Sequence, residues 1–212
     1  MGMGTTGSNI ADFLLQIKAV KLQPKQPFKW ASGWNSPIYC DNRITLSHPR
    51  IRTYIRQELV KVIDEKFGTP DVIAGVATGA IAHGALVAEA MGLPFVYIRA
   101  AAKEHGRQNL IEGEVHKNQT CVVIEDLIST GQSSLKAVNA LRENGVIVKG
   151  MISIFSYGFD VASDAFKNAN CPLYSLSNYD ILVGQALKNN YISQVDMESL
   201  KKWRDDPSHW DI

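Results

Sequence analysis

Residues 120–134, TCVVIEDLISTGQSS, constrain the fold more than any other stretch of the chain. Residues 121–124 are apolar and mostly β-branched, which predicts a short buried strand. This strand is predicted to end at two adjacent carboxylates, Glu125 and Asp126. A turn of hydroxylated residues and glycine follows, and apolar residues at helical spacing then predict a helix that closes at Gly145.

Each part of this stretch suits a phosphorylated sugar. A turn that leads into a helix N-terminus offers free backbone N–H groups and the positive end of the helix dipole, which bind phosphate. The Ser129 and Thr130 hydroxyls add donors, and Gly131 lets the backbone approach closely. Ionised carboxylates accept hydrogen bonds only, so Glu125 and Asp126 suit vicinal sugar hydroxyls or a hydrated Mg²⁺.

Strand and helix patterns alternate along the rest of the chain. Ser8 is predicted to cap a first helix, and Ser47 a long second helix with Pro49 in its first turn. Further predicted elements are a strand at 72–76, a helix at 81–91 and strands at 94–98 and 146–155. This order predicts an α/β fold, a doubly wound parallel sheet flanked by helices with right-handed crossovers.

The chain is predicted to form a single domain over residues 1–212, with an N-terminal segment (8–48, the hood), a core (49–165) and a C-terminal cover (166–212). In the cover, a helix over 179–187 precedes an amphipathic helix expected to be capped by Asp196. Residues 100–113 show no strand periodicity, and a polar loop of this length is usually functional or disordered.

Composition excludes several classes of protein. A net charge of +1 predicts no general nucleic-acid surface, and no apolar run reaches the length of a membrane span. No signal peptide is visible. The three cysteines are widely spaced, which indicates reduced thiols in a cytoplasmic protein and neither a disulfide frame nor a zinc site.

The order of apolar strand, two acids and Thr-Gly turn resembles the motif with which type I phosphoribosyltransferases bind 5-phosphoribosyl 1-diphosphate (PRPP). In that family the carboxylates face the ribose hydroxyls and the turn surrounds the 5′-phosphate. The alternative is an ordinary strand, turn and helix whose acids and hydroxyls only cap the helix. The resemblance assigns these residues to PRPP: Glu125, Asp126, Leu127, Ile128, Ser129, Thr130, Gly131, Gln132 and Ser133.

Other segments narrow the resemblance to the orotate phosphoribosyltransferases. Lys103-Glu104-His105-Gly106, before an Ile-Glu-Gly, looks like that family's mobile loop. Residues 75–79 are similar to its pyrophosphate-side loop, and 36–39 to its orotate-side segment. The resemblance covers nearly the whole chain.

The family resemblance also implies roles for single residues. It makes Arg99, Lys103 and His105 catalytic and PRPP-binding, and assigns Ser129, Tyr39 and Cys40 to orotate. It further implies Mg²⁺ as cofactor without a metal site built from the protein alone. The expected assembly is a homodimer in which loop 100–113 covers the neighbouring subunit's site, and neither a nucleic acid nor a membrane is an expected partner.

This chain departs from the family pattern in the residues that would hold the orotate carboxylate. Ala31 stands where many members have lysine, and no arginine follows Phe155. Gly79 and residues 100–102 likewise replace lysines of other members. How the carboxylate is held stays open, and with it the choice of base.

Three alternatives remain. A phosphoribosyltransferase for uracil or a purine would share the PRPP motif but not the Lys-Glu-His-Gly loop. A regulator that keeps the pocket and binds nucleic acid would carry a basic stripe or an added helix-turn-helix. Fusion to a decarboxylase would need more than the 212 residues present.

Overall fold

The structure is a computed structural model that describes residues 3–30, 33–101 and 110–210. In chain order its elements are α1 (Met3–Gln16), β1 (Val20–Leu22), β2 (Phe28–Lys29), β3 (Asn35–Ser36), β4 (Ile38–Cys40), a 3₁₀ helix (Asn42–Ser47), α2 (Pro49–Phe67), β5 (Val72–Val76), α3 (Ile81–Met91), β6 (Phe95–Ile98), β7 (Ile111–Glu112), β8 (Thr120–Ile128), α4 (Gln132–Glu143), β9 (Ile147–Ser156), α5 (Asp160–Asn168), β10 (Leu173–Asn178), α6 (Tyr179–Lys188) and α7 (Gln194–Asp205).

Six strands form the central sheet, in the order β10-β9-β8-β5-β6-β7. The first five of these strands are parallel to their neighbours, and β7 pairs antiparallel with β6 at one edge. The strand order reverses between β5 and β8, which is the switch point where open α/β sheets bind ligands. The predicted fold class, a doubly wound parallel sheet flanked by helices, is confirmed.

Apolar side chains fill both faces of the sheet. On one face α1, α2, α3, α6 and α7 contribute to a cluster that includes Ile10, Leu59 and Trp203. On the other face α4 and α5 contribute Val138, Leu141 and Phe166. A sheet covered on both faces explains why the central strands are continuous apolar runs.

The hood packs over the carboxyl ends of the strands as two small antiparallel ladders, β1 with β4 and β2 with β3. An aromatic cluster fixes it: Trp30 packs against Tyr157 and Trp203, with ring centroids 5.2 and 5.5 Å apart. Trp203 of α7 also donates a hydrogen bond from Nε1 to the Asn35 carbonyl at 3.1 Å. The C-terminal helix therefore holds the hood against the core.

Three predicted helix caps were wrong. Ser8 lies inside α1, because the helix continues back to Met3 where Gly7 packs closely against Ile181 of α6. Ser47 ends the 3₁₀ helix, and the next residue, His48, is the N-cap of α2. In α7 the N-cap is Ser193, and Asp196 is its reciprocal partner three residues on, which completes a capping box.

The predicted end of β8 was also wrong. The strand continues through Glu125 and Asp126 to Ile128, because β9 pairs with it along this whole length, as far as Ile128 and Ser156. Helix α5, the 3₁₀ helix and strands β1, β2, β3, β7 and β10 were not predicted. Strand β7 has only two residues within a polar segment, too few for a periodicity to show. No helix in the described ranges is long and apolar enough to span a membrane.

Candidate active site

A cavity of about 710 Å³ opens at the switch point of the sheet. Pairing between β5 and β8 stops at Gly75 and Ile124, whereas β8 continues for four residues along β9. The β5 side of Glu125 and Asp126 is thereby left open to the cavity, which we call the sheet-end cavity. Its lining comes from β8, from the segment after β5, from the end of β6 and from α4: Val76, Ala77, Thr78, Gly79, Arg99, Ala100, Leu110, Glu125, Asp126, Leu127, Ser133, Lys136, Ala137, Asn139, Ala140 and Glu143.

The two carboxylates at the cavity have different environments. Glu125 is buried and accepts hydrogen bonds from the Ser134 hydroxyl at 2.8 Å and from the Asp126 amide at 3.0 Å. Asp126 is half-buried, and its backbone carbonyl accepts a hydrogen bond from Asn42 Nδ2 at 2.6 Å. Glu125 is thus held by the first turn of α4, and Asp126 is tied to the hood.

Burial governs the protonation of this pair. Desolvation raises the pKa of Glu125 from 4.5 to about 8, and the negative charge of the neighbouring Asp126 is the second largest cause. Desolvation also raises the pKa of Asp126 above its ordinary value. Two carboxylates this close and this buried hold a proton between them more readily than free carboxylates do. A cation or a set of hydroxyl donors entering the cavity would favour the doubly ionised pair.

The turn after β8 leads directly into the N-terminus of α4. Gly131 is the N-cap residue, with φ of 78°, and it has no side chain with which to accept from the first N–H groups of the helix. These groups are therefore available to an anion. A Cβ at Gly131 would meet the Phe166 ring at 2.8 Å, so glycine is required by space as well as by conformation.

The remaining residues predicted for PRPP have distinct positions around the turn. Ile128 is fully buried in the core, so only its backbone is available to a ligand. Gln132 is exposed as the first residue of α4, and Ser133 lines the sheet-end cavity. Thr130 lines a smaller pocket beside Trp34 and Arg204.

The segment after β5 forms the opposite wall. Thr78 and Gly79 line the cavity, and the peptide bond between Ala77 and Thr78 is cis. A Cβ at Gly79 would overlap the Asp126 carboxylate. The absence of a side chain at Gly79 therefore lets Asp126 lie against this segment.

Arg99 lies at the base of the loop over residues 100–113. Its guanidinium is 3.4 Å from the Glu112 carboxylate, and its amide donates to the Leu110 carbonyl at 2.8 Å. These contacts join the two stems of the loop beside the sheet-end cavity, which Arg99 lines. Lys103 and His105, also predicted as catalytic, lie outside the described residues.

A second pocket, of about 380 Å³, lies between the hood and the sheet; we call it the hood pocket. Its lining residues are Lys29, Trp30, Tyr39, Cys40, Leu127, Ser129 and Tyr157. It brings together Tyr39, Cys40 and Ser129, the three residues that the resemblance assigned to orotate. Leu127 lines both this pocket and the sheet-end cavity, so the two spaces adjoin at the end of β8.

Several polar residues around these two spaces could not be predicted from the sequence. Lys136 of α4 lines the sheet-end cavity, and its only signal was its place one turn into the helix. Asn42 and Thr45 are fully buried, and the Thr45 hydroxyl lies 3.1 Å from His83 Nε2. Burial is the main cause that lowers the pKa of His83 to about 4, so it is neutral at pH 7 and serves packing. Nothing local in the sequence indicates these long-range contacts.

Comparison with known proteins agrees with this geometry. Residues 45–170, more than half of the chain, match the phosphoribosyl transferase domain family. The fold is therefore that of a phosphoribosyltransferase domain.

Individual relatives narrow the assignment. The chain is 57% identical over 201 residues to an orotate phosphoribosyltransferase of Bacteroides thetaiotaomicron, covering 95% of each chain. It is 56% identical over 209 residues to an orotate phosphoribosyltransferase of Phocaeicola vulgatus, covering 99% of each. The crystal structure of orotate phosphoribosyltransferase from Aeropyrum pernix is similar with a TM-score of 0.75 and 26% identity, over 87% of this chain and 99% of that one. The chain belongs to the orotate phosphoribosyltransferase family.

Proposed function

We propose that the protein transfers the 5-phosphoribosyl group of PRPP to N1 of orotate, giving orotidine 5′-monophosphate and pyrophosphate, as a step of pyrimidine biosynthesis. The observation that carries the proposal is the meeting of two spaces at Leu127, one walled by carboxylates and a helix N-terminus, the other by aromatic and hydroxyl groups. A phosphorylated sugar suits the first, and a planar base suits the second.

The donor occupies the sheet-end cavity in this proposal. Glu125 and Asp126 accept hydrogen bonds from the ribose hydroxyls, and the turn over residues 129–133 surrounds the 5′-phosphate with N–H groups. Thr78, Gly79 and Arg99 line the side where the diphosphate would lie. Positive charge there stabilises the leaving pyrophosphate as the C1–O bond breaks and C1 bonds to N1 of the base.

Mg²⁺ is the proposed cofactor. No group of three or more His, Cys, Asp or Glu side chains that could hold a metal ion occurs in the described part of the chain. Mg²⁺ is commonly held through one or two carboxylates together with substrate phosphates and water, and Glu125 and Asp126 fit that role. When bound with PRPP, the ion neutralises charge on the diphosphate.

Lys103 and His105 complete the proposal, as groups of a loop that covers the site and contacts the pyrophosphate. The loop begins and ends beside the sheet-end cavity, where Arg99 and Leu110 pair through their backbones. Covering the site excludes water, which would otherwise hydrolyse PRPP. We also propose that the loop acts in the neighbouring subunit of a cytoplasmic homodimer.

The test is the loss of orotate absorbance with PRPP and Mg²⁺, in parallel with uracil and hypoxanthine as acceptors. We expect turnover of orotate and its strong reduction in Lys103→Ala, with Lys201→Ala, an exposed residue of α7, as the control. Turnover of uracil or hypoxanthine in place of orotate would show that the protein is a phosphoribosyltransferase for another base. PRPP binding without turnover of any base would favour a regulator.

A further inference from the structure

The hood pocket must hold an anionic base if the proposed function is correct. Orotate carries a carboxylate at neutral pH. An ion moved from water into a pocket between protein segments loses much of its solvation, and a cation in the pocket offsets that cost. Residues 155–157 are Phe, Ser and Tyr, and Ala31 precedes the Ser-Gly of the hood. Neither position supplies a positive charge.

Carboxylates near the hood pocket increase the need for a cation beside the substrate. Burial is the main cause that raises the pKa of the Cys40 thiol, and the nearby carboxylates of Asp126 and Asp41 raise it further. Of these two groups, Asp126 is the one that adds net negative charge beside the pocket wall, because Asp41 is ion-paired with Arg43. A substrate carboxylate entering it would be repelled unless a positive group faced it.

Arg43 is close to this region but is already engaged. Its Nε and one terminal nitrogen donate to the two Asp41 oxygens at 2.7 and 2.9 Å, a bidentate pair. Half of the Arg43 side chain is in solvent, and Arg43 is not part of the pocket lining. Its charge is therefore balanced by Asp41.

Lys29 is the one cationic side chain among the described residues that line the hood pocket. It lies on β2, where it pairs with Asn35 of β3, and the adjacent Trp30 is fixed by the aromatic cluster. No ion pair of Lys29 occurs within the ranges that the structure describes. A lysine in this position has a flexible stem and a charge that is free to meet a ligand.

We propose that Lys29 binds the carboxylate of the base in the hood pocket and so determines the preference for orotate over uracil. The proposal rests on the proposed function. It places the cation on β2, two residues before Ala31, and makes Ser129, Tyr39 and Cys40 the neutral part of the same pocket. Lys29 recognises the acceptor and has no role toward PRPP.

The test compares Lys29→Met, Lys29→Arg and the control Lys21→Met, since Lys21 is an exposed hood lysine on β1 that does not line the pocket. We expect Lys29→Met to raise KM for orotate roughly ten- to a hundredfold, the range for loss of a hydrogen bond to a charged group. KM for PRPP and the thermal unfolding midpoint should stay at the parent values. Lys29→Arg should keep a KM for orotate close to the parent value.

Binding of the products separates recognition of the carboxylate from general damage to the pocket. Orotidine 5′-monophosphate and uridine 5′-monophosphate differ only in the carboxylate, and tryptophan fluorescence reports binding because Trp30 lines the pocket. Lys29→Met should lose affinity for the first and keep its affinity for the second. Two results would overturn the proposal. One is an equal loss of affinity for both nucleotides in Lys29→Met. The other is a Lys29→Met variant with the same KM for orotate as Lys21→Met, in a parent protein that turns over orotate. Absence of orotate turnover in the parent would instead refute the proposed function.

Discussion

Asn42 Nδ2 donates a hydrogen bond to the Asp126 carbonyl at 2.6 Å, across 84 residues of sequence. Asn42 is fully buried in the 3₁₀ helix of the hood, and Asp126 lies at the open end of β8. This bond joins the part of the chain that forms the hood pocket to the strand that carries the acidic pair. The relative position of the two proposed substrates depends on it.

Asn42→Ala should therefore affect both stability and activity. Loss of the donor leaves the Asp126 carbonyl without this partner, which we expect to lower the free energy of unfolding by about 1–3 kcal/mol. KM for PRPP should rise as well, because Asp126 is no longer tied to the hood. Asn144→Ala removes a bond of the same chemical type, from Nδ2 to the Ala140 carbonyl at 2.8 Å, from an exposed residue at the far end of α4. The control should lose stability only; a parallel loss of activity in it would contradict the interpretation.

Glu125→Gln should gain stability relative to the parent as pH rises. The carboxyl titrates near 4.5 when unfolded and near 8 when folded, so between these values the folded protein keeps a proton that the unfolded chain has released. The stability contributed by the neutral carboxyl is full below pH 4.5 and is lost as pH rises through 8. Glutamine does not titrate and removes this loss.

Urea unfolding at pH 5 and pH 8 measures the effect. The difference in unfolding free energy between Glu125→Gln and the parent should be more favourable to the variant at pH 8. Glu65→Gln, an exposed change on α2, should show no such dependence. The same difference at both pH values for Glu125→Gln would refute a raised pKa.

Gly131→Ala should disrupt the turn at the phosphate side. Alanine at a left-handed φ of 78° costs about 1–2 kcal/mol, and its Cβ would also meet the Phe166 ring. Gly92→Ala is a matched control, because Gly92 has a φ of 64° and open space around it. Thermal unfolding should show a larger loss for Gly131→Ala, and only that variant should raise KM for PRPP. Equal losses would show that contact with Phe166 does not matter.

Subunit mixing tests whether loop 100–113 acts across a dimer. Lys103→Ala and Asp126→Asn should each be nearly inactive alone. When the two variants are co-expressed, about half of the dimers contain one chain of each kind. If the loop acts in the neighbouring subunit, each mixed dimer has one site with both native residues and one site with neither. Activity should then return to about a quarter of the parent value. If the loop serves its own chain, every site lacks one residue and activity stays at the level of the single variants.

The sequence predicted the architecture well because the central strands are buried on both faces and therefore apolar throughout. Strand β5 and helix α3 were predicted at their observed bounds, Val72–Val76 and Ile81–Met91. Strand β10 was missed because its burial is partial and its residues, LYSLSN, mix polar and apolar types. The start of α1 was predicted too late because it is set by a tertiary contact, Gly7 against Ile181. The start of α7 is instead set by a local capping box, Ser193 with Asp196, so this error was one of local sequence interpretation.

For the site, local sequence order predicted the acidic pair and the Thr-Gly turn because they are contiguous. Tyr39 and Cys40 could be joined to Ser129 only through the family resemblance, since they are far apart in sequence. Lys29 and Asn42 carried no local signal. Their positions follow from how the hood packs on β8, and that packing depends on Trp30 and Trp203 together.

The division of the hood pocket between two parts of the chain has a consequence for how such enzymes diversify. Lys29, Trp30, Tyr39 and Cys40 all precede residue 45, where the match to the phosphoribosyl transferase domain family begins, whereas Glu125, Asp126 and Gly131 lie within that match. Under the proposed function, substitutions at these four N-terminal residues can change the preferred acceptor base without replacing a residue that contacts the donor.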